Sequence, residues 1–400
     1  MKTKRKTILS IFGTRPEAIK MAPLVKALEA EPEIRSVVCV TGQHRSMLQQ
    51  VLDLFDITPH YDLAVMSENQ SLNGLASRLI SSIDEVIERE APERVLVHGD
   101  TTTATAAALA AFHRRVPVVH VEAGLRTGDM DRPWPEEMNR RVVDVVSELM
   151  FVPTPRSLDN LAKETLHGRA FVTGNTVIDA LRFVTARIDS NDSLRRKLDA
   201  RFPFLDAQKQ LVLVTGHRRE SFGQGLRDIC AALARIAKRR DVQIVYPVHL
   251  NPNVQATVIS ALGDAPNVYL IEPQDYMGFV RLLQRSTLVL TDSGGVQEEA
   301  PALGKPVLVM REVTERPEAV DAGTAMLVGT DSEAIASAVS LLLDDENARA
   351  AFARSVNPYG DGRASARIVA ALTGRPFEEF RPAPWRGTEP ASRAKREALA

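Results

Sequence analysis

Residues 292–318 combine, in one stretch, groups suited to binding a phosphate and groups suited to binding a sugar. The apolar run 288–290 is typical of a buried parallel strand, and the Ser-Gly-Gly run 293–295 follows it where a helix is predicted to begin. Glycines at a helix N-terminus let backbone N–H groups approach an anion. Glu298 and Glu299 come next, and a carboxylate can accept hydrogen bonds from ribose hydroxyls. The stretch indicates a nucleotide pocket, although on this motif alone an ordinary strand–helix turn has equal weight.

Polar side chains also recur directly after the other predicted strands. Ligands of an open parallel sheet bind at the carboxyl ends of its strands. The set comprises Arg15 and Lys20; Gln43, His44 and Arg45; His98 and Asp100; Glu122 and Arg126; Glu136, Glu137, Asn139 and Arg140; His217, Arg218, Arg219 and Glu220; and His249, Asn251 and Asn253. Any single cluster could cap a turn or face solvent, but the repetition from strand to strand favours a shared polar cleft.

The elements that would position these side chains alternate between strand and helix. Such a βαβ rhythm predicts a parallel sheet with helices on both faces. The alternation of strands and helices stops after Asn175 and resumes at residue 210. We therefore predict an α/β fold of two Rossmann-like, doubly wound domains facing a central cleft, residues 1–175 and 176–372, with the last helix able to return to the first domain. Residues 373–400 are predicted to form an extended, poorly ordered tail.

Composition excludes several other classes of protein. A net charge of −1 over 400 residues offers no basic field for nucleic acid. The chain has two cysteines, Cys39 and Cys230, which excludes a disulfide framework and a cysteine-based zinc site and fits a reducing compartment. No apolar run approaches the ~18 residues that a membrane span needs, so the chain is predicted to be cytoplasmic and not bound to a membrane.

Familiar cofactor motifs are missing from the sequence. No Gly-x-Gly-x-x-Gly follows a strand with an acid downstream, and no phosphate loop ending in Gly-Lys-Ser/Thr occurs, so neither bound NAD nor ATP hydrolysis is expected. His98 and Asp100 share one face of a strand and could form a metal pair, but no third ligand with metal-site spacing stands nearby. We expect no metal and no cofactor.

Longer motifs carry a resemblance to a known family. They are FGTRPEAIKMAPL, TGQHRSML, VLVHGDTTTA, HVEAGLRTGD, PWPEEMNR, VTGNTVIDAL, VTGHRRESFG, YPVHLNPNV and DSGGVQEEAPALGKPVLVMREVTERPEA. Because of these motifs, the chain resembles the non-hydrolysing UDP-N-acetylglucosamine 2-epimerases. The resemblance implies a fold of glycosyltransferase-B type, a homodimer, and reversible conversion of UDP-N-acetylglucosamine (UDP-GlcNAc) to UDP-N-acetylmannosamine (UDP-ManNAc) for cell-surface polysaccharides, without NAD or metal.

The reaction implied by this resemblance places definite demands on a site. The proton on carbon 2 of the sugar is not acidic, so without a nicotinamide the reasonable route is elimination of UDP to 2-acetamidoglucal, followed by re-addition of UDP and protonation from the other face. This route needs acid–base groups on both faces and positive charge at the departing diphosphate. A carboxylate in a dehydrated site has a raised pKa and can exchange protons near neutrality.

The resemblance also implies roles for individual residues. The catalytic positions are Asp100, Glu122, Glu136 and His217. The substrate-binding positions are Arg15, Lys20, Asp100, Glu122, Arg140, His217, Gln274, Phe279, Ser293, Gly294, Gly295, Glu299 and Arg316. A second UDP-GlcNAc, acting as an activator, would use Gln43, His44, Arg218, Arg219 and His249.

Three other functions stay open at this point. A glycosyltransferase of the same architecture would use the same nucleotide pocket but would not need three acids in the first domain. A nucleotide-sugar sensor would have no purpose for those acids. A hydrolysing 2-epimerase would release the free sugar and UDP, but no kinase-like domain of the bifunctional animal form follows here.

Overall fold

The computed structural model of the chain describes residues 5–42, 45–67, 70–216, 223–353 and 357–382. The chain divides into two compact units. The first runs to Phe183 and also takes up Tyr359–Arg381, whereas the second begins at Val184 and runs to Pro358. The boundary therefore falls later than residue 175, inside a helix, and the last helix belongs to the first unit.

Each unit is built on a parallel sheet. In the described part of the first unit the strands are β1 Lys6–Phe12, β2 Ile34–Val40, β3 Tyr61–Asp62, β4 Arg94–His98, β5 Val118–Val121, β6 Ser147–Val152 and β7 Arg169–Val172. In the second they are β8 Gln210–Thr215, β9 Val242–Pro247, β10 Val268–Ile271, β11 Leu288–Thr291, β12 Val307–Val309 and β13 Ala325–Leu327. The strand orders are β3-β2-β1-β4-β5-β6-β7 and β10-β9-β8-β11-β12-β13.

Helices connect these strands as in other doubly wound folds. They are α1 Arg15–Glu29, α2 Arg45–Leu54, α3 Leu72–Glu90, α4 Thr102–His113, α5 Glu136–Val146, α6 Pro155–Ala162, α7 Thr176–Asp189, α8 Asp192–Asp199, α9 Gln224–Ile236, α10 Pro252–Leu262, α11 Tyr276–Arg285, α12 Gly294–Ala302, α13 Pro317–Asp321, α14 Ser332–Asp344, α15 Glu346–Ala353 and α16 Ala364–Thr373. The predicted α/β fold with two parallel sheets is confirmed.

The core of each unit follows from this arrangement. A parallel sheet covered on both faces has strands that are apolar almost throughout, and in β1 both Leu9 and Ile11 are fully buried. In α4, Ala104 and Ala107 are also fully buried, and such small side chains let a helix lie close to its neighbours. Burial raises the pKa of the Cys39 thiol to about 12, so this cysteine is a packing residue and not a nucleophile.

The chain after α16 packs against the first unit. The backbone N–H of Phe380 donates to the carbonyl oxygen of Val172 at 2.8 Å, and Glu379 accepts from the N–H of Val172 at 2.8 Å. The ring of Phe380 is buried, and Phe377 lies against Phe171 with 5.7 Å between ring centroids. The tail predicted to be poorly ordered is thus part of the fold as far as Pro382, because its aromatic side chains cover the edge strand β7; residues 383–400 lie outside the described residues.

Candidate functional site

The strand order of each sheet reverses at one point. In the first unit this switch point lies between β1 and β4, and in the second it lies between β8 and β11. The chain segments that follow the two strands beside the switch point run in opposite directions. They leave a crevice between them at the carboxyl ends of the strands. In the first unit the crevice is bordered by the turns after β1 and β4, and in the second by the turn after β11. Of the predicted groups, Arg15 and Lys20 follow β1, Asp100 follows β4, and the Ser-Gly-Gly run follows β11.

Glu122, the residue after β5, contacts several polar side chains of the first unit. Lys20 Nζ lies 2.6 Å from each of its carboxylate oxygens, and Asn175 Nδ2 donates to Oε1 at 3.1 Å. His98 Nε2 lies 2.8 Å from Oε2, at an angle that does not make a hydrogen bond. Glu122 has a φ of 66°, a conformation that is uncommon outside glycine and that points to a functional constraint. Lys20 was predicted from the sequence, whereas Asn175 was not.

Asp100 lies in the turn after β4 and is held by α5. Arg140 forms an ion pair with its carboxylate, and Asn139 Nδ2 donates to its carbonyl oxygen at 2.8 Å. The side chain of Asp100 keeps 28% of its surface exposed, whereas that of Glu122 keeps 5%. The carboxylate of Asp100 is therefore fixed in place and still accessible to a ligand.

The two acids that begin α5 have different surroundings. Glu136, the predicted catalytic residue, is half-buried in the first turn of the helix, where the helix dipole favours its negative charge. Glu137 is fully buried and accepts from the backbone N–H groups of Thr127 and Gly128 at 3.1 and 3.2 Å. Glu137 thus stabilises the loop before α5 and is not free to contact a substrate.

A further buried carboxylate, Glu17, joins the turns after β1 and β4. It accepts from the backbone N–H groups of Gly13 and Thr14 at 3.0 and 2.7 Å, and from the Thr101 hydroxyl at 2.7 Å. Together with Thr14 it forms a capping box at the start of α1. Arg15, the first residue of that helix, is held beside the Asp100 turn in this way. The sequence analysis did not predict a role for Glu17, although the Thr-x-x-Glu spacing signals a capping box.

In the second unit, the Ser-Gly-Gly run starts α12 as predicted. Ser293 is the N-cap residue, and its own N–H donates to Thr291 Oγ1 at 2.9 Å. The N–H groups of Gly294 and Gly295 lie in the first turn, where they have no partner within the helix. Any anion placed there would meet backbone donors and the positive end of the helix dipole.

The adjacent acids of α12 have different partners. Glu299 is buried, and its Oε1 accepts from the hydroxyl of Tyr276 at 2.7 Å. Glu298, also buried, forms an ion pair with Arg316. Arg316 was predicted to bind substrate. In the structure its guanidinium pairs with Glu298 of α12.

The predicted Gln274 and Phe279 lie at the start of α11. Arg201 Nη2 donates to Gln274 Oε1 at 2.8 Å, and Gln274 Nε2 donates to the carbonyl oxygen of Glu272 at 2.7 Å. A Cβ atom at position 278 would lie 3.0 Å from the Arg201 guanidinium. Glycine at this position therefore leaves room for the Arg201 side chain. Phe279 is half-buried. Arg201 was not predicted, because its partner lies far away in the sequence.

Several predicted residues lie outside the described residues. They are His217 of the catalytic set and Gln43, His44, Arg218 and Arg219 of the activator set. The remaining member of the activator set, His249, is exposed, and its Nδ1 accepts from the backbone N–H of Asn251 at 3.1 Å.

The described residues contain neither a metal-binding cluster nor a membrane-spanning helix. Within the described ranges, no group of three or more His, Cys, Asp or Glu side chains is arranged to hold a metal ion. No helix in the same ranges has the length and apolar character needed to cross a membrane.

Two doubly wound units, one with acids at the carboxyl ends of its strands and one with a glycine-rich helix start beside a buried carboxylate, place the chain among the two-unit α/β proteins that bind ligands at strand carboxyl ends. The fold is of the glycosyltransferase-B type, and the crystal structure of Acinetobacter baumannii MurG superposes with a TM-score of 0.55 at 13% identity over 92% of this chain and 99% of that one.

Sequence comparison identifies the family. A model described as UDP-N-acetylglucosamine 2-epimerase matches residues 26–373. The UDP-N-acetylglucosamine 2-epimerase of Salmonella typhimurium is 57% identical over 367 residues, which cover 91% of this chain and 98% of that protein. The crystal structure of UDP-GlcNAc 2-epimerase from Neisseria meningitidis, bound to UDP-GlcNAc, is similar with a TM-score of 0.88 and 47% identity over 92% of this chain and 100% of that one. The chain belongs to the UDP-N-acetylglucosamine 2-epimerase family and is an isomerase, as its motifs predicted.

Proposed function

We propose that this chain interconverts UDP-GlcNAc and UDP-ManNAc by elimination and re-addition of UDP, without releasing the free sugar. The observation that carries the proposal is the pair of fixed carboxylates, Asp100 and Glu122, at the carboxyl ends of the neighbouring strands β4 and β5, with the cations Lys20 and Arg140 beside them. Binding of UDP-GlcNAc by the Neisseria meningitidis relative supports the choice of substrate.

The first unit is proposed to carry the proton transfers. A carboxylate removes the proton from carbon 2 while the bond between carbon 1 and the diphosphate oxygen breaks, and the electron pair of the C–H bond forms the double bond of 2-acetamidoglucal. UDP leaves with the electrons of the broken bond. In the return step a diphosphate oxygen attacks carbon 1, and a second acid delivers a proton to the opposite face of carbon 2. Asp100, Glu122 and Glu136 are the proposed acid–base groups, and His217 completes the catalytic set.

Lys20 and Arg15 are proposed to bind the leaving diphosphate or the sugar. Lys20 is paired with Glu122 and has 13% of its side chain exposed, so a phosphate oxygen can replace part of that pairing. Positive charge placed where negative charge develops lowers the barrier to departure of the leaving group.

The second unit is proposed to bind the nucleotide. The first turn of α12, Ser293 to Gly295, would hold the phosphates, and Glu299 would accept hydrogen bonds from the ribose hydroxyls. Gln274 and Phe279 would contact the uracil, and Arg316 would lie at the phosphate side. Tyr276 supports this assignment, because it binds one oxygen of Glu299 and so limits the rotation of the carboxylate.

Incubation with UDP-GlcNAc in D₂O, followed by proton NMR, tests the reaction. We expect both epimers to appear and solvent deuterium to enter carbon 2 in each of them, because the proton removed exchanges with solvent before it returns. Epimers that equilibrate with full protium at carbon 2 would contradict elimination. Accumulation of free N-acetylmannosamine would indicate a hydrolysing enzyme. If no epimer formed at all, a glycosyltransferase or a nucleotide-sugar sensor would be the remaining function.

Activation, oligomeric state and metabolic role are proposed on the same basis. A second UDP-GlcNAc, bound by Gln43, His44, Arg218, Arg219 and His249, would activate the enzyme. The active form would be a homodimer, and the product would supply cell-surface polysaccharides from the cytoplasm, a compartment in which the two buried free thiols stay reduced.

A further inference from the structure

A buried histidine lies behind the turn that carries Asp100. His120 is on β5 and has no exposed surface. Its Nδ1 lies 2.6 Å from Asp144 Oδ1, and its Nε2 lies 2.8 Å from the carbonyl oxygen of Gly99. The ring therefore bridges helix α5 and the residue that precedes Asp100.

Both neighbours of this ring are hydrogen-bond acceptors. A carbonyl oxygen only accepts, so Nε2 must carry a proton to contact Gly99 at this distance. Asp144 is ionised: burial opposes its charge, yet His120 and Arg126 hold the pKa of the carboxyl below its usual value, and Arg126 Nη2 donates to Oδ2 at 2.7 Å. A carboxylate also only accepts, so Nδ1 must carry a proton as well. The ring is then an imidazolium.

His120 belongs to a group of paired cations and anions. Arg126 also donates to both carboxylate oxygens of Glu164, at 2.7 and 3.0 Å. Burial alone would lower the pKa of Arg126, but Glu164 and Asp144 raise it above its usual value, so the guanidinium stays charged. Two cations and two anions are thus joined by hydrogen bonds. A buried charge is tolerated when it is paired and hydrogen-bonded, and this cluster satisfies that condition for the imidazolium.

We propose that His120 is a positioning residue, an imidazolium that ties Asp144 to the peptide group before Asp100. On the other side of Asp100, Asn139 donates to its carbonyl oxygen, and Arg140 pairs with its carboxylate. The peptide groups on both sides of Asp100 are therefore held by charged or amide donors. The role assigned to Asp100 rests on the proposed function, whereas the protonation of His120 does not.

Two substitutions separate the two hydrogen bonds of the ring. The amide nitrogen of glutamine can take the place of Nε2, and that of asparagine the place of Nδ1. His120→Asn should therefore lose the contact with Gly99 and lower kcat by ~10–100-fold with little change in KM, because misplacing a catalytic group by about 1 Å costs on this order. His120→Gln should keep that contact and retain most of the wild-type kcat.

Controls separate positioning from a loss of folding. The thermal melting temperature should fall in both variants, since both lose one charged pair, and UDP affinity measured by calorimetry should stay at the wild-type value. Equal losses of kcat in the two variants would show that the ring matters for stability alone and would overturn the proposal. A wild-type kcat in His120→Asn would overturn it as well.

NMR of protein labelled with ¹⁵N-histidine tests the protonation directly. At the assay pH, we expect one ring with both nitrogens in the protonated range, absent from the spectrum of His120→Gln. A His120 signal with one unprotonated nitrogen would overturn the imidazolium. If the wild-type enzyme gave no epimer in D₂O while this signal was present, the proposed function would fail and the protonation of His120 would stand.

Discussion

At the scale of single residues, Asp100 and Glu122 differ although each follows a strand of the same sheet. Glu122 is nearly inaccessible and is bonded to Lys20 and Asn175, so its negative charge is already compensated. Asp100 has Arg140 as its charged partner and remains partly exposed. Asp100 is therefore the carboxylate better placed to meet a substrate from solvent, while Glu122 also serves to orient Lys20.

Replacing Asp100 tests this difference. Asp100→Asn keeps the size of the side chain and removes its basicity, so kcat should fall by ~10²–10⁴, the usual contribution of a general acid or base. UDP affinity should not change, because the proposed nucleotide site lies in the second unit. Steady-state kinetics and calorimetry measure the two quantities, with Asp53→Asn, an exposed acid on α2, as the matched control. Turnover near the wild-type rate would remove Asp100 from the acid–base groups.

The side chains that position the candidate site were harder to predict than the acids and cations proposed to react. Arg15, Lys20 and Asp100 follow predicted strands, and the sheet topology brings such positions together. Asn175 and His120 act through partners more than 20 residues away, at separations of 53 and 24. Sequence spacing carries no signal for such contacts, because they depend on which strands are neighbours in the sheet.

At the scale of elements, helix α12 gives its two adjacent acids different partners. Successive residues of a helix point about 100° apart, so Glu298 and Glu299 face different surroundings. Glu298 pairs with Arg316, and Glu299 bonds to Tyr276. The Ser-Gly-Gly-x-x-Glu-Glu pattern predicted a pocket at this helix start. It could not show which acid is tied to an arginine, since Arg316 comes from a distant turn.

Substitution in α12 tests the nucleotide pocket. Glu299→Ala should weaken UDP binding by ~1.5–3 kcal/mol, the scale of hydrogen bonds to a charged group. Isothermal titration calorimetry gives the affinity, and Glu346→Ala, which removes an exposed acid from α15 in the same unit, should bind UDP like the wild type. Unchanged UDP affinity in Glu299→Ala would show that the ribose lies elsewhere.

At the scale of the whole molecule, the alternation of strands and helices was sufficient to predict two parallel sheets. It placed the unit boundary too early, because α7 is a continuous helix in which Phe183 and Val184 belong to different units. It also gave no indication that Phe380 would be buried beside Val172. The composition of that segment resembles a linker, and its order comes from a hydrogen-bonded contact with a strand some 200 residues earlier.

The proposed activation by a second substrate molecule would be a property of the whole molecule. A ligand that binds the competent state more tightly than the other state shifts the population toward it, so the rate should depend sigmoidally on UDP-GlcNAc concentration. UDP-ManNAc alone should react slowly until a trace of UDP-GlcNAc is added. His249 is exposed, so a ligand can reach its ring, and its Nδ1 accepts from the backbone N–H of Asn251.

Initial-rate kinetics of the wild type and two variants decide between one ligand and two. Gln43→Ala and His249→Ala should flatten the sigmoid more than they lower the maximal rate, because they remove contacts with the activator and not with the reacting sugar. His113→Ala, a change at the end of α4, is the matched control and should keep the sigmoid. A hyperbolic wild-type curve with no lag from UDP-ManNAc would mean that these side chains serve a single substrate or only cap strand ends.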